Sequence, residues 1–287
     1  MKISRECYLC IYTQAFNLTK RLNLNEIKAS KVLRGVGAIL SKYSLDVTPP
    51  KIAAEVYSFI SEITGIEDPF AQAKKDSIIA ALEYKSVLLR KLLKSENKLY
   101  DALKIAASGN VIDLGVNREF DLKKELENIF NVNFAKNDYS SFREKLKDAQ
   151  TICYLADNAG ENVFDEILIQ TLKEYNDDLK IYYLVRGKPV INDITIKDLI
   201  GLEIFSLAEV IDSGVPTPGF DLSYANEKSK EIFYESDLVI SKGMGNFECL
   251  YGEANREVFY LFKVKCDVVA REINESLGEY VFFEGKK

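Results

Sequence analysis

No histidine occurs anywhere in the chain, and no tryptophan. The missing imidazole excludes a Ser-His or Cys-His catalytic pair and the usual histidine-based zinc set. Catalysis must then run on carboxylates, amides, lysines, thiols or a metal held by oxygen. No Gly-x-x-x-x-Gly-Lys-Ser/Thr loop is present, which excludes a P-loop nucleotide hydrolase. Gly243-Met244-Gly245 lacks the third glycine of a dinucleotide fingerprint. No apolar run approaches the length of a membrane span, so no membrane partner is expected. Residues Met1 to Glu6 lack the apolar core of a signal peptide. Five cysteines form an odd set in a long chain, not a disulfide framework, and a reducing cytoplasm is the expected compartment.

What is present is a globular composition. With 47% hydrophobic and 29% charged residues over 287 positions, the chain can bury one or two sizeable cores. The net charge is −6, and Lys and Arg are spread along the chain, which argues against a nucleic-acid partner. There is no internal repeat and no low-complexity linker.

The first 110 residues or so read as helical. Val32, Leu33, Val36, Ile39 and Leu40 share one helical face. Thr48-Pro49-Pro50 is a helix start with Thr48 as N-cap, and Gly65 suits the stop. Asp68-Pro69 opens another helical stretch, broken near Ser95-Glu96-Asn97. After residue 150 the pattern changes. Strand-like runs at 151–156, 179–185, 202–206, 237–241, 258–262 and 279–283 alternate with helix-like segments such as Phe164 to Tyr175 and Tyr224 to Ser236. That alternation predicts crossover units in a largely parallel sheet with helices on its faces. Val111 to Gly115 is a short extended candidate at the seam.

Open parallel sheets bind ligands beyond the carboxyl ends of their strands. Three polar clusters obey that rule: Asp157-Asn158 with Gly160 and Glu161; Arg186-Gly187-Lys188-Pro189 continuing to Asn192-Asp193-Ile194-Thr195; and Ser241 to Glu248. Their hard oxygens suit Mg²⁺, Mn²⁺ and similar ions, and a lysine before a glycine-rich helix start suits a phosphate. A metal beside a phosphate site points to phosphoryl chemistry. Each cluster taken singly is more often a turn or a helix cap than a site. The case rests on all three falling at strand ends. Cys7-Tyr8-Leu9-Cys10 gives only two of four zinc ligands and sits in an opening helix, so buried structural thiols are the simpler reading. Cys153, Cys249 and Cys266 read as core positions.

Taken together these segments resemble the damage-control phosphatase family, formerly domain of unknown function 89, over nearly the whole chain. The matching motifs are Cys7-x-x-Cys10, Asp68-Pro69-Phe70 with Lys74, Gly109 to Gly115, Asp157 to Glu161, Asn192 to Thr195, Ser241 to Glu248 and Lys263 to Cys266. The amino-terminal Cys-x-x-Cys and the compact length look like the stand-alone prokaryotic branch. Leu114 departs from the aromatic common at that position. The resemblance implies an α/β fold, with a helical part at 1–110 packed on a Rossmann-like, largely parallel, three-layer α/β catalytic part at 111–287. It implies a divalent-metal-dependent phosphatase acting on sugar phosphates or damaged phosphometabolites. One divalent ion, Mn²⁺, Co²⁺, Ni²⁺ or Mg²⁺, would be bound by Asp157, Asn158 and Asp193. Lys242 would contact the substrate phosphate, with Arg186, Asn246 and Asn110 as further substrate-binding candidates. Glu161, four residues past Asp157, is placed as a base or as support for the ligands. Asp157 as nucleophile is disfavoured, because a ligand role would occupy it. The alternatives are an S-adenosylmethionine-dependent carboxyl methyltransferase and a non-catalytic metal or metabolite-binding protein. The partner is a small phosphorylated metabolite; the oligomeric state is not legible.

Overall fold

A computed structural model describes residues 1–109 and 128–285. Asn110 and the 111–115 segment lie outside the described residues.

The amino-terminal helices follow from their caps and stripes. Helix α1 spans Arg5–Arg21, α2 Glu26–Leu40 and α3 Pro49–Thr64. Asn25 caps α2 by accepting the Lys28 N–H at 2.9 Å. Pro49 and Pro50 open α3, and Gly65 closes it in the left-handed region at φ 74°. Thr48 is the N-cap residue as expected, but its Oγ1 is buried and makes no hydrogen bond. Ile11, Leu18, Val32, Val36, Ile52 and Val56 point inward from the three helices and form their own apolar core.

Helices α4 (Ala71–Leu92) and α5 (Lys98–Ser108) are separate, with the break at Ser95 to Asn97. Both pack on the α/β core rather than on the α1–α3 core. After a one-turn 3₁₀ helix at Ile129–Asn131, the chain runs through β1 (Lys136–Asn137), α6 (Tyr139–Leu146), β2 (Thr151–Leu155), α7 (Glu161–Tyr175) and β3 (Lys180–Val185). It continues with α8 (Ile196–Leu199), α9 (Ile204–Leu207), β4 (Glu209–Asp212), α10 (Glu227–Glu235) and β5 (Leu238–Lys242). Last come α11 (Gly243–Leu250), β6 (Val258–Lys263), α12 (Asp267–Ile273) and β7 (Tyr280–Gly285).

One predicted strand is corrected. Residues 202–206 do not form a strand: Ile204 and Leu207, three apart, turn one face of the short helix α9 toward the core. The strand lies just beyond, at Glu209–Asp212, where Ile211 is its only buried residue. An edge strand this short and charged leaves almost no alternation to read.

Among the described residues, seven strands are ordered β1-β7-β6-β5-β2-β3-β4, and every pairing is parallel except β6 with β7. Central β2 sends Ile152 and Tyr154 to the face covered by α5 and α7, and Cys153 and Leu155 to the face covered by α11 and α12. The chain winds from β2 outward to β3 and β4, then returns to place β5 on the other side of β2. Neighbouring crossovers therefore diverge at the carboxyl ends of β2 and β5, the position where an open parallel sheet leaves a crevice.

Candidate functional site

The loops after β2, β3 and β5 meet at that crevice. Asp157 and Asn158 follow β2 after Ala156, Lys242 ends β5, and Arg186 follows β3. The segment carrying Asp193 folds back as a second lip. Asn158 and Asp193 form an isolated antiparallel bridge, the Ile194 N–H donates to the Asp157 carbonyl at 2.9 Å, and the Arg186 N–H donates to the Ile194 carbonyl at 3.0 Å. Backbone hydrogen bonds thus bring Asp157, Asn158 and Asp193 side by side. A capping box holds this lip. Asp198 accepts from the Thr195 N–H at 2.9 Å and from its hydroxyl at 2.6 Å, and pairs with the buried Lys74 at 2.7 Å.

Asn158 Nδ2 donates to Asp157 Oδ2 at 2.9 Å and to Glu161 Oε1 at 3.0 Å. Both amide protons are spent, so its Oδ1 remains as an acceptor. Asp193 Oδ2 accepts from Arg186 Nε at 2.7 Å, and the Arg186 guanidinium stands 3.7 Å from Asp157 Oδ1. Among the described residues, Asp157 Oδ1, Asn158 Oδ1 and Asp193 Oδ1 receive no hydrogen bond. No three acidic or thiol groups among the described residues gather closely enough to hold an ion. The donor set here is two carboxylates and one amide.

Lys242 and Arg186 are both buried and already engaged. Lys242 Nζ donates to Glu161 Oε2 at 3.0 Å and to Asp165 Oδ1 at 2.6 Å. Arg186 reaches Asn246 Oδ1 at 2.9 Å as well as Asp193. Asn246 is fully satisfied. Its amide donates to the Lys242 carbonyl at 2.7 Å and the Ala156 carbonyl at 3.0 Å, and its oxygen also accepts from Phe220 N at 2.7 Å. It braces the ends of β2 and β5 against the 213–221 loop.

Four carboxylates, Asp157, Glu161, Asp165 and Asp193, therefore face two cations in this buried layer. Burial, then Glu161 and Asp193, pushes Asp157 well above its ordinary value. Burial raises Glu161 although Lys242 opposes it, and raises Asp193 to about 6 although Arg186 opposes it. Against desolvation, Asp165 and Glu161 hold the Lys242 ammonium above its usual range.

Asp165 was not read from the sequence. It lies one turn past Glu161 on α7 and also accepts from Tyr154 at 2.6 Å and Tyr183 at 2.8 Å. The i, i+4 spacing of Glu161 and Asp165 was the available signal.

A cleft of about 1020 Å³ opens above this layer, between α1 and α3 on one side and the sheet edge on the other. Asp157, Asn158 and Asp193 line it; Lys242, Arg186, Glu161 and Asn246 do not. Cys7, Cys10 and Cys266 also line it, while Cys153 and Cys249 are buried in the sheet core. Cys10 is exposed, contrary to the expectation of two buried thiols, because its turn of α1 faces the cleft. All five thiols are free.

Fold and site together define a three-layer α/β protein with an acidic, oxygen-lined cleft at its topological switch point. The family model for the damage-control phosphatase ARMT1-like domain matches residues 3–281. The chain belongs to this family. It is 30% identical over 288 residues to the damage-control phosphatase PH1575 of Pyrococcus horikoshii, covering 100% of this chain and 99% of that one. It is 27% identical over 285 residues to a damage-control phosphatase of Archaeoglobus fulgidus, covering 98% of each. A crystal structure of the Pyrococcus horikoshii DUF89 family protein superimposes with a TM-score of 0.91 at 30% identity, covering 100% of both chains.

Proposed function

We propose that the chain hydrolyses the phosphate monoester of a small phosphorylated metabolite at the floor of this cleft, with one divalent cation held by Asp157, Asn158 and Asp193. Family membership carries the reaction class, phosphoric monoester hydrolysis. The cation, its ligands and the substrate are our reading.

The observation that carries it is the set of three oxygens, Asp157 Oδ1, Asn158 Oδ1 and Asp193 Oδ1, on residues that line the cleft, which receive no hydrogen bond among the described residues. Buried carboxylates crowded this closely repel one another, and an oxygen-only set of two carboxylates and an amide suits a hard, partly hydrated cation. Mn²⁺, Co²⁺, Ni²⁺ and Mg²⁺ fit that description. When bound, such an ion offsets charge on the phosphoryl oxygens and acidifies a water molecule.

The chain's own residues supply the rest. Glu161 holds the Asn158 amide through its protons, so that the amide oxygen is the free end. Lys242 pairs with Glu161 and Asp165 and fixes both side chains beneath the floor. Arg186 does the same for Asp193. Lys265 lines the cleft with its charge near Glu161, and Met244 and Gly245 bring the first turn of the eight-residue helix α11 to the same wall. A cation and a helix start suit a phosphoryl group. Free thiols at all five cysteines fit a reducing, cytoplasmic setting.

The test is phosphate release from a panel of sugar phosphates by chelator-stripped protein resupplied with Mn²⁺, Co²⁺, Ni²⁺ or Mg²⁺. Release that depends on added metal supports the reading. No release from any ester by metal-loaded protein overturns it.

A further inference from the structure

The cleft has room for more than a phosphate. Its volume of about 1020 Å³ stands at the upper end of the range for small-molecule sites, about 300–1,000 Å³. Lys242 and Arg186 are spent beneath its floor on Glu161, Asp165, Asp193 and Asn246. Among the described residues, only two cations line the cleft. Lys265 stands on the sheet wall. Arg21 stands on the helical wall, in the last turn of α1.

Arg21 makes no ion pair among the described residues, although Glu6 on the same helix is paired with Arg271 at 2.9 Å. Its guanidinium carbon lies 4.8 Å from the centroid of the Phe70 ring. Phe70 is buried and packs against Tyr57 at 6.3 Å between centroids, so the platform is anchored in the α1–α3 core. Contact with a ring face uses no N–H donor, which leaves the fork geometry of the guanidinium available to an oxyanion. An arginine steadied on an aromatic ring, with no carboxylate partner among the described residues and on the wall of the cleft, is placed to attract an anion rather than to stabilise the fold.

We propose that Arg21 forms a second anion subsite, and that the preferred substrate carries a carboxylate or second phosphate distal to the scissile phosphate. This rests on the phosphatase reading of the same cleft. The floor would take the scissile phosphate, and Arg21 the distal oxyanion. Gln14, Asn17 and Tyr57, also on the helical wall, would face the polar carbons between them.

The test compares kcat/KM for matched substrates at fixed ionic strength: a sugar monophosphate, the corresponding bisphosphate, and the corresponding phosphorylated sugar acid. Wild type, Arg21→Gln and Arg21→Lys are assayed, with thermal melts to show intact folding. Wild type should prefer at least one doubly anionic substrate by tenfold or more. Arg21→Gln should collapse that ratio toward one, through KM rather than kcat, and Arg21→Lys should restore it in part. Preference for the bisphosphate alone, or for the sugar acid alone, identifies the distal oxyanion. A wild-type ratio of one or less, or a ratio that survives in Arg21→Gln, overturns the subsite while leaving the phosphatase reading intact. No hydrolysis of any of the three by metal-loaded protein overturns the phosphatase reading, and the subsite with it.

Discussion

Gly243 lies against the carboxylate of Asp157 so closely that a β-carbon at residue 243 would fall 1.9 Å from Asp157 Oδ2. Its φ of 76° is also in the left-handed region. Two constraints therefore fix this glycine: the turn from β5 into α11 and the space the carboxylate occupies. Gly243→Ala should cost about 1–2 kcal/mol in the backbone alone and displace Asp157 from the floor. Metal affinity should fall at least about tenfold, which is about 1.4 kcal/mol. Calorimetric titration with Mn²⁺ measures it; unchanged affinity would mean that the Asp157 carboxylate is not a ligand.

Lys242 is a buried cation between two buried carboxylates. Lys242→Met leaves Glu161 and Asp165 without it, and removing one partner of a buried pair costs about 3–5 kcal/mol. The urea midpoint should drop accordingly, and kcat/KM should fall on the order of 10²-fold as the electrostatics beneath the floor change. Lys242→Arg should recover stability only in part, because a guanidinium differs in size and shape from an ammonium in a fully enclosed site. A stability loss under about 1 kcal/mol would show that the pair is not fully desolvated.

The pH dependence has a definite sign. Burial raises Asp193 from 3.8 to about 6, so protonation favours the folded state without metal. That contribution is complete below the unfolded value and is lost as pH rises through about 6. A cation binds the carboxylate form, so its linkage runs the other way. The melting-temperature gain on adding Mn²⁺ should therefore grow between about pH 5 and pH 7.5 in wild type, and flatten in Asp193→Asn. A gain independent of pH in wild type would remove Asp193 from the ligand set.

Much of this site was legible because it follows strands. Asp157-Asn158 and Ser241-Lys242 directly follow or end apolar runs that are buried on both faces, and such runs are hard to misread. The helix bounds at Pro49 and Gly65 were equally local. What was not legible depends on long-range packing. The 209–212 edge strand has too few apolar residues to show a period, and the more apolar 202–206 run drew the reading away. Lys242 reads as a phosphate ligand from its glycine-rich neighbours. Its two carboxylate partners come from α7, 77 and 81 residues away, and no local pattern announces them. The cleft wall carrying Arg21 is formed by helices distant in sequence from the sheet, so neither its depth nor the placement of Arg21 on the Phe70 ring can be read from spacing.

The most direct test of the central claim is a titration of chelator-stripped protein with Mn²⁺ in which bound metal and phosphate release are followed together. The account predicts a single site, activity that rises in proportion to its occupancy, and loss of both in Asp157→Ala and Asp193→Ala variants that still fold. Full turnover by metal-free protein, or wild-type Mn²⁺ affinity in either variant, would contradict it.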